Sequence, residues 1–222
     1  MSILDPIPAK PLAVRLIPQV APEYARQLNL RPGQHSLGLI TADNDDALYV
    51  SIDEATKKAD VEVIYAHSFF AGARHASGKL SGEIIAMLAG PDPAEVRAGL
   101  DAALHYLASQ ALWYSANEEG SIAFFPHVIS QTGAYLSGLC NIPLKSSIAY
   151  LVAPPLEGCL ALDAALKAAA VEIVSYTAPP SETNYMGAIL AGEQSACVAA
   201  AQAFQEMVLD VAARPLMYEM RC

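Results

Sequence analysis

The stretch Asp53 to Tyr65, DEATKKADVEVIY, runs from an alanine- and lysine-rich helical pattern straight into a β-branched strand pattern. The same switch returns at Asp163 to Tyr176, DAALKAAAVEIVSY, again with an Asp at the start and a Lys four residues on. The likeness extends outward from this core. SLGLITA at Ser36 to Ala42 matches SIAYLVA at Ser147 to Ala153, and IPQV at Ile17 to Val20 matches FPHV at Phe125 to Val128. Downstream, GEIIAMLAGPDPAEVRAGLDA from Gly82 matches GAILAGEQSACVAAAQAFQE from Gly187. Offsets of 105 to 111 positions are far longer than the period of roughly 20 to 50 residues that marks solenoids and propellers. The pattern predicts two tandem copies of one domain, residues 1–110 and 111–222.

Within the first copy, Met1 to Pro11 reads as an extended lead-in, Leu12 to Pro18 as a strand and Ala21 to Leu30 as a short helix stopped by Arg31, Pro32 and Gly33. Ser36 to Thr41 is strand, DNDD is turn chemistry, Ala47 to Ser51 resumes strand, Asp53 to Ala59 is helix and Val61 to Ala66 is strand. His67 to Ser81 has no periodicity, and a connection that long between neighbouring strands marks a functional loop. Glu83 to Ala89 is strand, and a helix with Pro93 in its first turn runs to Ser109. The second copy repeats this order: strand Ile122 to Pro126, helix Val128 to Gly138, strand Ser147 to Ala153, helix Cys159 to Ala169 and strand Val171 to Thr177. Its own long loop is Ala178 to Gly187, and a helix from Gln194 to Ala213 closes it. Each copy is expected to be an α/β (α+β) unit, an open sheet of about four strands with helices packed on one face.

Composition changes this picture in one respect. Hydrophobic residues make up 54% of the 222 and charged residues only 16%, against about 25% charged in an average soluble domain. Two small domains do not need that much apolar surface for their own cores, so part of it is expected to face other subunits. The net charge of −10 and the lack of a Lys/Arg run exclude nucleic acid and anionic membrane as partners. No apolar run approaches a membrane span and no signal-peptide pattern opens the chain, which predicts a cytoplasmic protein. Cys140, Cys159, Cys197 and Cys222 form no CxxC pair and are read as reduced and structural.

The candidate chemistry is sparse. His35, His67, His75, His105 and His127 make no HxxxH or HExxH pattern, so they read as surface histidines and no metal site or cofactor is expected. There is no GxSxG, P-loop or GxGxxG. AGPDPAEV is read as a capped helix start, because Pro91 and Pro93 remove amides that would cradle a phosphate. Asp43, Asp45, Asp46, Asp53, Glu54, Glu83, Glu118 and Glu119 are plentiful carboxylates. They read either as a solvated acidic face or as a vestibule in which two or three of them, beside Trp113, hold a small ammonium compound by charge and cation–π contact.

Val61-Glu62 and Val171-Glu172 after their Ala/Lys helices, with AGPDPAEV and AGEQSACV opening the next helices, resemble the signatures of bacterial microcompartment (BMC) shell domains in tandem. SLGLITADNDDALYVSIDEATKKADVEVIYA, AYLVAPPLEGCLALDAALKAA and PPSETNYMGAIL are similar to the ethanolamine-utilisation branch of that family, and the likeness covers Val14 to Pro215. It implies a circularly permuted tandem protein of the microcompartment shell, a homotrimer that mimics a six-domain disc and tiles laterally with other shell proteins. It also implies a gated central pore framed by Ser68, Phe69, Phe70, Ala71, Gly72 and Ala73 of the first loop. The second loop would contribute Pro179, Pro180, Ser181, Glu182, Thr183, Asn184 and Tyr185. A smaller pore holding ethanolamine would fall on Asp46, Glu83 and Trp113, the last standing where relatives carry Phe. The alternatives are a shell protein of a propanediol- or ethanol-processing compartment, and a two-domain small-molecule-binding regulatory protein. An enzyme is the poorest fit, since no catalytic set assembles.

Overall fold

A computed structural model describes residues 1–68, 84–179, 181 and 184–216. In chain order its elements are β1 (Pro6–Pro8), β2 (Pro11–Ile17), α1 (Pro22–Gln27), β3 (Ser36–Ala42), α2 (Asp45–Lys58), β4 (Glu62–Ser68), β5 (Ile84–Gly90) and α3 (Pro93–Ser109). There follow β6 (Leu112–Ser115), β7 (Ala123–Ile129), α4 (Ala134–Cys140), β8 (Ser147–Ala153), α5 (Pro155–Ala168), β9 (Val171–Thr177), β10 (Met186–Gly192) and α6 (Gln194–Ala213). The chain divides into two compact units. The first comprises Pro8–Leu112 together with Thr132–Leu139, and the second Met1–Ile7, Trp113–Gln131 and the chain from Cys140 onward.

The first unit holds a four-stranded antiparallel sheet in the order β2-β3-β5-β4. Helices α2 and α3 pack on each other and against it. Gly38 marks how closely: a Cβ there would press on Val96 and Leu100 of α3. The core is aliphatic, with Leu37, Ile40, Leu48, Ile52, Ile84, Leu88 and Leu107 all fully buried. In the second unit the matching order β7-β8-β10-β9 is extended beyond β7 by β6 and β1 into six strands. Its core gathers Phe124, Leu151, Leu190, Phe204 and Val208 under α5 and α6. Helix α6 is long and apolar enough to cross a membrane by length and composition. Its Cys197, Ala200, Ala201, Phe204 and Val208 are buried in this core.

The duplication is visible in the hydrogen-bonding register. One strand residue is skipped between Val63 and Tyr65 where β4 meets β5, and the equivalent residue between Ile173 and Ser175 is skipped where β9 meets β10. Such a bulge bends the strand at one spot, so both copies turn at the same place. Ile17 lies opposite Leu37 and Ile129 opposite Ile148; Ser36 Oγ donates to Pro18 O and Ser147 Oγ to Ser130 O, at 2.6 and 2.7 Å. Ile17 is therefore the counterpart of Ile129, not of Phe125. The likeness of IPQV to FPHV is out of register by four residues, because a Pro flanked by apolar residues recurs by chance where strand pairing does not.

Two expected elements are corrected. Ala47 to Ser51, read as a strand, lies inside α2: Asn44 is a true N-cap, its side chain accepting from Ala47 N at 2.8 Å. Ala47, Leu48, Val50, Ser51 and Ile52 then bury against the sheet, so packing overrides strand propensity. Val128 to Gly138, read as one helix, is instead the end of β7 followed by the seven-residue α4. Strands β1 and β6 were not anticipated, being only three and four residues long.

Candidate functional site

The first long loop leaves the end of β4. Its last described residue, Ser68, is buried, and its hydroxyl donates to Asp45 Oδ2 at 2.7 Å. Asp45 occupies the first turn of α2, where a carboxylate faces the positive end of the helix dipole, and its other oxygen accepts from Asp46 N at 3.0 Å. Asp46 itself is half-buried in the same turn. Phe69, Phe70, Ala71, Gly72 and Ala73, like Glu83 and His75, lie outside the described residues. Antiparallel pairing of Ser68 with Ile84 makes the segment between them a single hairpin connection.

The second long loop is the same connection in the other copy, joining β9 to β10 where Thr177 pairs with Gly187. Pro179, Ser181, Asn184 and Tyr185 are described; Pro180, Glu182 and Thr183 lie outside the described residues. Ser181 N donates to Tyr185 O at 2.9 Å, Asn184 N to Ser181 O at 3.0 Å and Tyr185 N to Ser181 Oγ at 3.1 Å. Asn184 takes the left-handed backbone that closes this turn, with φ of 68°. The Tyr185 ring meets Trp113 edge-on, with centroids 5.2 Å apart, and Trp113 stacks on Phe125 at 5.5 Å. Phe125 in turn stacks on His127 and takes the edge of Tyr150. Trp113, 5% exposed, thus sits in an aromatic column between Tyr185 and Phe125.

Asp46 belongs to the first unit and Trp113 to the second. Several other carboxylates have local work. Asp43 accepts from Lys10 N at 2.7 Å, Glu54 pairs with Lys57 and Lys58, and Glu118 and Glu119 are exposed. Among the described residues no group of His, Cys, Asp and Glu is arranged to hold a metal.

The sequence reading missed the role of Asp53. This carboxylate is fully buried on α2 and accepts from Gly133 N at 2.7 Å and Leu136 N at 2.8 Å, while Thr56 Oγ1 accepts from Ala134 N at 2.9 Å. Two α2 side chains thereby satisfy the otherwise orphaned amides that open α4. Tyr49 stacks on Tyr135 beside them, with ring centroids 6.2 Å apart. Any side chain at Gly133 would collide with Thr56 Oγ1 and the Asp53 carbonyl. Burial raises the Asp53 pKa above the usual carboxylate value, against the opposing pull of the two amides and Lys57. Burial, with Glu54 and Asp53 adding, pushes the nearby Tyr106 hydroxyl up to about 12.

Two duplicated sheet-and-helix units, each with a long connection at the matching place in its sheet, define a tandem BMC-domain protein. The BMC domain model matches residues 36–116 and 154–217. The chain is 55% identical to the bacterial microcompartment shell protein EutL of Clostridium perfringens over 205 residues, 92% of this chain and 94% of that one. It is 50% identical to EutL of Salmonella typhimurium over 97% of this chain and 99% of that one. The crystal structure of the ethanolamine utilization protein EutL from Leptotrichia buccalis superposes with a TM-score of 0.93 at 52% identity, covering 98% of this chain and all of the other. The chain belongs to the BMC shell proteins of the EutL type.

Proposed function

We propose that this chain is a structural wall component of an ethanolamine-utilisation microcompartment, a homotrimer whose paired BMC domains form a pseudohexameric disc tiling with other shell proteins. Its two long loops line a central opening that passes substrates or cofactors. The observation that carries this reading is the equivalence of the loops: each is the β4–β5 or β9–β10 connection, bracketed by strands bulged at the same residue. Threefold symmetry sets every such loop in triplicate around one axis, the arrangement from which selective rings are built. A gate must exchange conformations, and the two loops differ in how they are held at the root, one by the Ser68–Asp45 hydrogen bond and the other by Tyr185 against Trp113. We assign the chain no catalysis; the buried polar groups Asp45, Asp53 and Ser68 are engaged in structural hydrogen bonds. The small ethanolamine-holding pore is assigned, from the resemblance, to Asp46, Glu83 and Trp113.

Light scattering and electron microscopy of the purified chain test the reading. Three-chain discs that form sheets at high concentration support it, and a stable monomer or dimer with no disc replaces it by the ligand-binding regulator. Titration calorimetry with ethanolamine, on the wild type and on Trp113→Ala, addresses the small pore: heat that Trp113→Ala abolishes supports the assignment, and no heat from the wild type removes it.

A further inference from the structure

The six-stranded sheet ends in a strand that is out of its place in the repeat. In sequence β1 stands to β2 as β6 stands to β7, a short strand leading into one of seven residues. β6 keeps to that plan and pairs with β7. β1 does not lie beside β2; it is the outermost strand of the six, on the far edge of its own counterpart β6. Met1–Ile7 accordingly belongs to the second unit, whereas Pro8–Leu112 belongs to the first.

Without this arm β6 would be the edge strand. Its sequence LWYS combines Leu112 with the strand-favouring aromatics Trp113 and Tyr114, and a bare edge of that kind offers unpaired amides and carbonyls to any other strand. The arm takes up those groups at Ser115, whose N–H donates to Asp5 O at 3.1 Å and whose carbonyl accepts from Leu4 N at 2.8 Å. Leu4 adopts the left-handed backbone, with φ of 66°, an unfavourable conformation for its side chain that lets both neighbours reach Ser115. Local bonds hold the arm in that shape. The Asp5 carboxylate accepts from Ser2 N at 2.6 Å and from Ser2 Oγ at 2.5 Å, and Met1 lies against Gly120 in the turn between β6 and β7.

The outer edge of the arm is a poor template. Backbone groups of successive strand residues point to opposite sides. Asp5 O faces β6, so Ile7 faces β6 as well, and Pro6 and Pro8 turn their nitrogens outward. A proline nitrogen carries no hydrogen, and β1 therefore presents no N–H along its free side. β2, at the edge of the first unit's sheet, is defended differently: Arg15 is exposed on it, and its Nη1 donates to Val14 O at 2.7 Å.

We propose that Met1–Pro8 is an edge guard, which fills a strand-addition site along β6 and turns outward a strand that no further strand can join. The site it fills would otherwise take an extended segment, and the β6 edge of a second copy is the segment at hand. The guard goes beyond the shell reading and does not depend on it, because it concerns one sheet within one chain.

Two variants test it against wild type by light scattering over a range of concentration, with thioflavin T fluorescence as the sign of strand pairing between chains. Deleting residues 2–7 should raise the mean mass by about twofold or more and bring on thioflavin fluorescence. A synthetic peptide of residues 1–8 in excess should restore the wild-type mass. A shortened chain with the wild-type circular-dichroism signal and the wild-type mass overturns the proposal. Pro6→Val with Pro8→Val in the full-length chain keeps the arm and gives its free side two N–H donors. The mass should rise here too, by less, and this variant decides the matter if the shortened chain does not fold. An unchanged mass overturns the closing role of the prolines and the guard with it. Both variants are read relative to wild type, so their failure leaves the number of chains in the wild-type particle untouched.

Discussion

Helices α2 and α5 begin after equivalent strands and share an Asp four residues before a Lys, but the two aspartates live in different physical worlds. Asp163 is exposed and reaches Lys167 at 2.5 Å, an i,i+4 surface pair. Asp53 is wholly buried, its Lys57 sits 3.9 Å away, and its oxygens are taken by backbone amides of α4. Pairs of the first kind contribute about 0.3–0.5 kcal/mol. In the second kind the carboxylate is what makes burial of two orphan amides tolerable, so its removal exposes their full desolvation cost. The same local sequence is decoration in one copy and a structural cap in the other, and the difference is made by what packs on top.

The largest expected effect follows. Asp53→Ala should lower the unfolding free energy by about 3 kcal/mol, since two buried N–H donors lose their acceptor at roughly 1–3 kcal/mol each and solvent repairs part of the loss. Asp163→Ala should change stability by no more than about 0.5 kcal/mol. Urea unfolding of both variants checks the contrast, and equal midpoints would mean that the α4 amides find other partners at no cost. Next in size is Gly133→Ala. The added methyl meets Thr56 and the Asp53 backbone, and overpacking at so tight a contact should cost about 1–3 kcal/mol. A midpoint within error of wild type would show that α4 can shift away from α2.

Much of the fold was legible because its signals are local. Helix α3 spans the anticipated Pro93–Ser109, where Asp92 caps Ala94 and Glu95 and Pro93 presets the first turn. Strands β8 and β9 and helix α6 likewise fall on the expected residues, their apolar runs being bounded by breakers or by a change of period. The first half of α2 was misread because Tyr49 and Val50 favour strand in isolation, whereas the Asn44 cap and burial on the sheet hold the stretch helical. Of the site, the positions of the two long loops were readable from lost periodicity. The Ser68–Asp45 bond was not, and the bonds from Asp53 to Gly133 and Leu136 were not, because those partners lie 23 to 83 positions apart and Asp163 offers the same local motif without them.

A smaller effect concerns the roots of the two loops. Tyr185→Ala removes an edge-on aromatic contact with Trp113, a geometry that contributes about 0.5–1.5 kcal/mol beyond area burial. Hydrogen exchange should then quicken at the amides of Ser181, Asn184 and Tyr185, while those of α2 keep their protection. Ser68→Ala should produce the converse, loosening the β4 end and leaving the second loop unchanged. If each variant loosens both loops, the roots are not independent and the contrast between them fails.

The smallest effect is one of slope, and its sign follows from Asp53. Burial raises its folded-state pKa above the unfolded value, outweighing the amides of Leu136 and Gly133 and the charge of Lys57. Its ionised form is therefore the one that folding disfavours. The stability this group contributes is fully present below the unfolded pKa, near 3.9, and is lost as pH rises through the raised folded value. Asp53→Asn keeps the shape but cannot titrate, so every other carboxylate cancels in the difference between the two proteins. Starting at neutrality, wild type should gain stability relative to Asp53→Asn as the pH is lowered through the folded pKa, and the gain should level off near the unfolded one. Urea midpoints across that range measure it. A gain in the opposite sense would mean that the two amides hold the charged carboxylate more strongly than burial repels it, which would make Asp53 a stronger cap for α4 than its buried position implies.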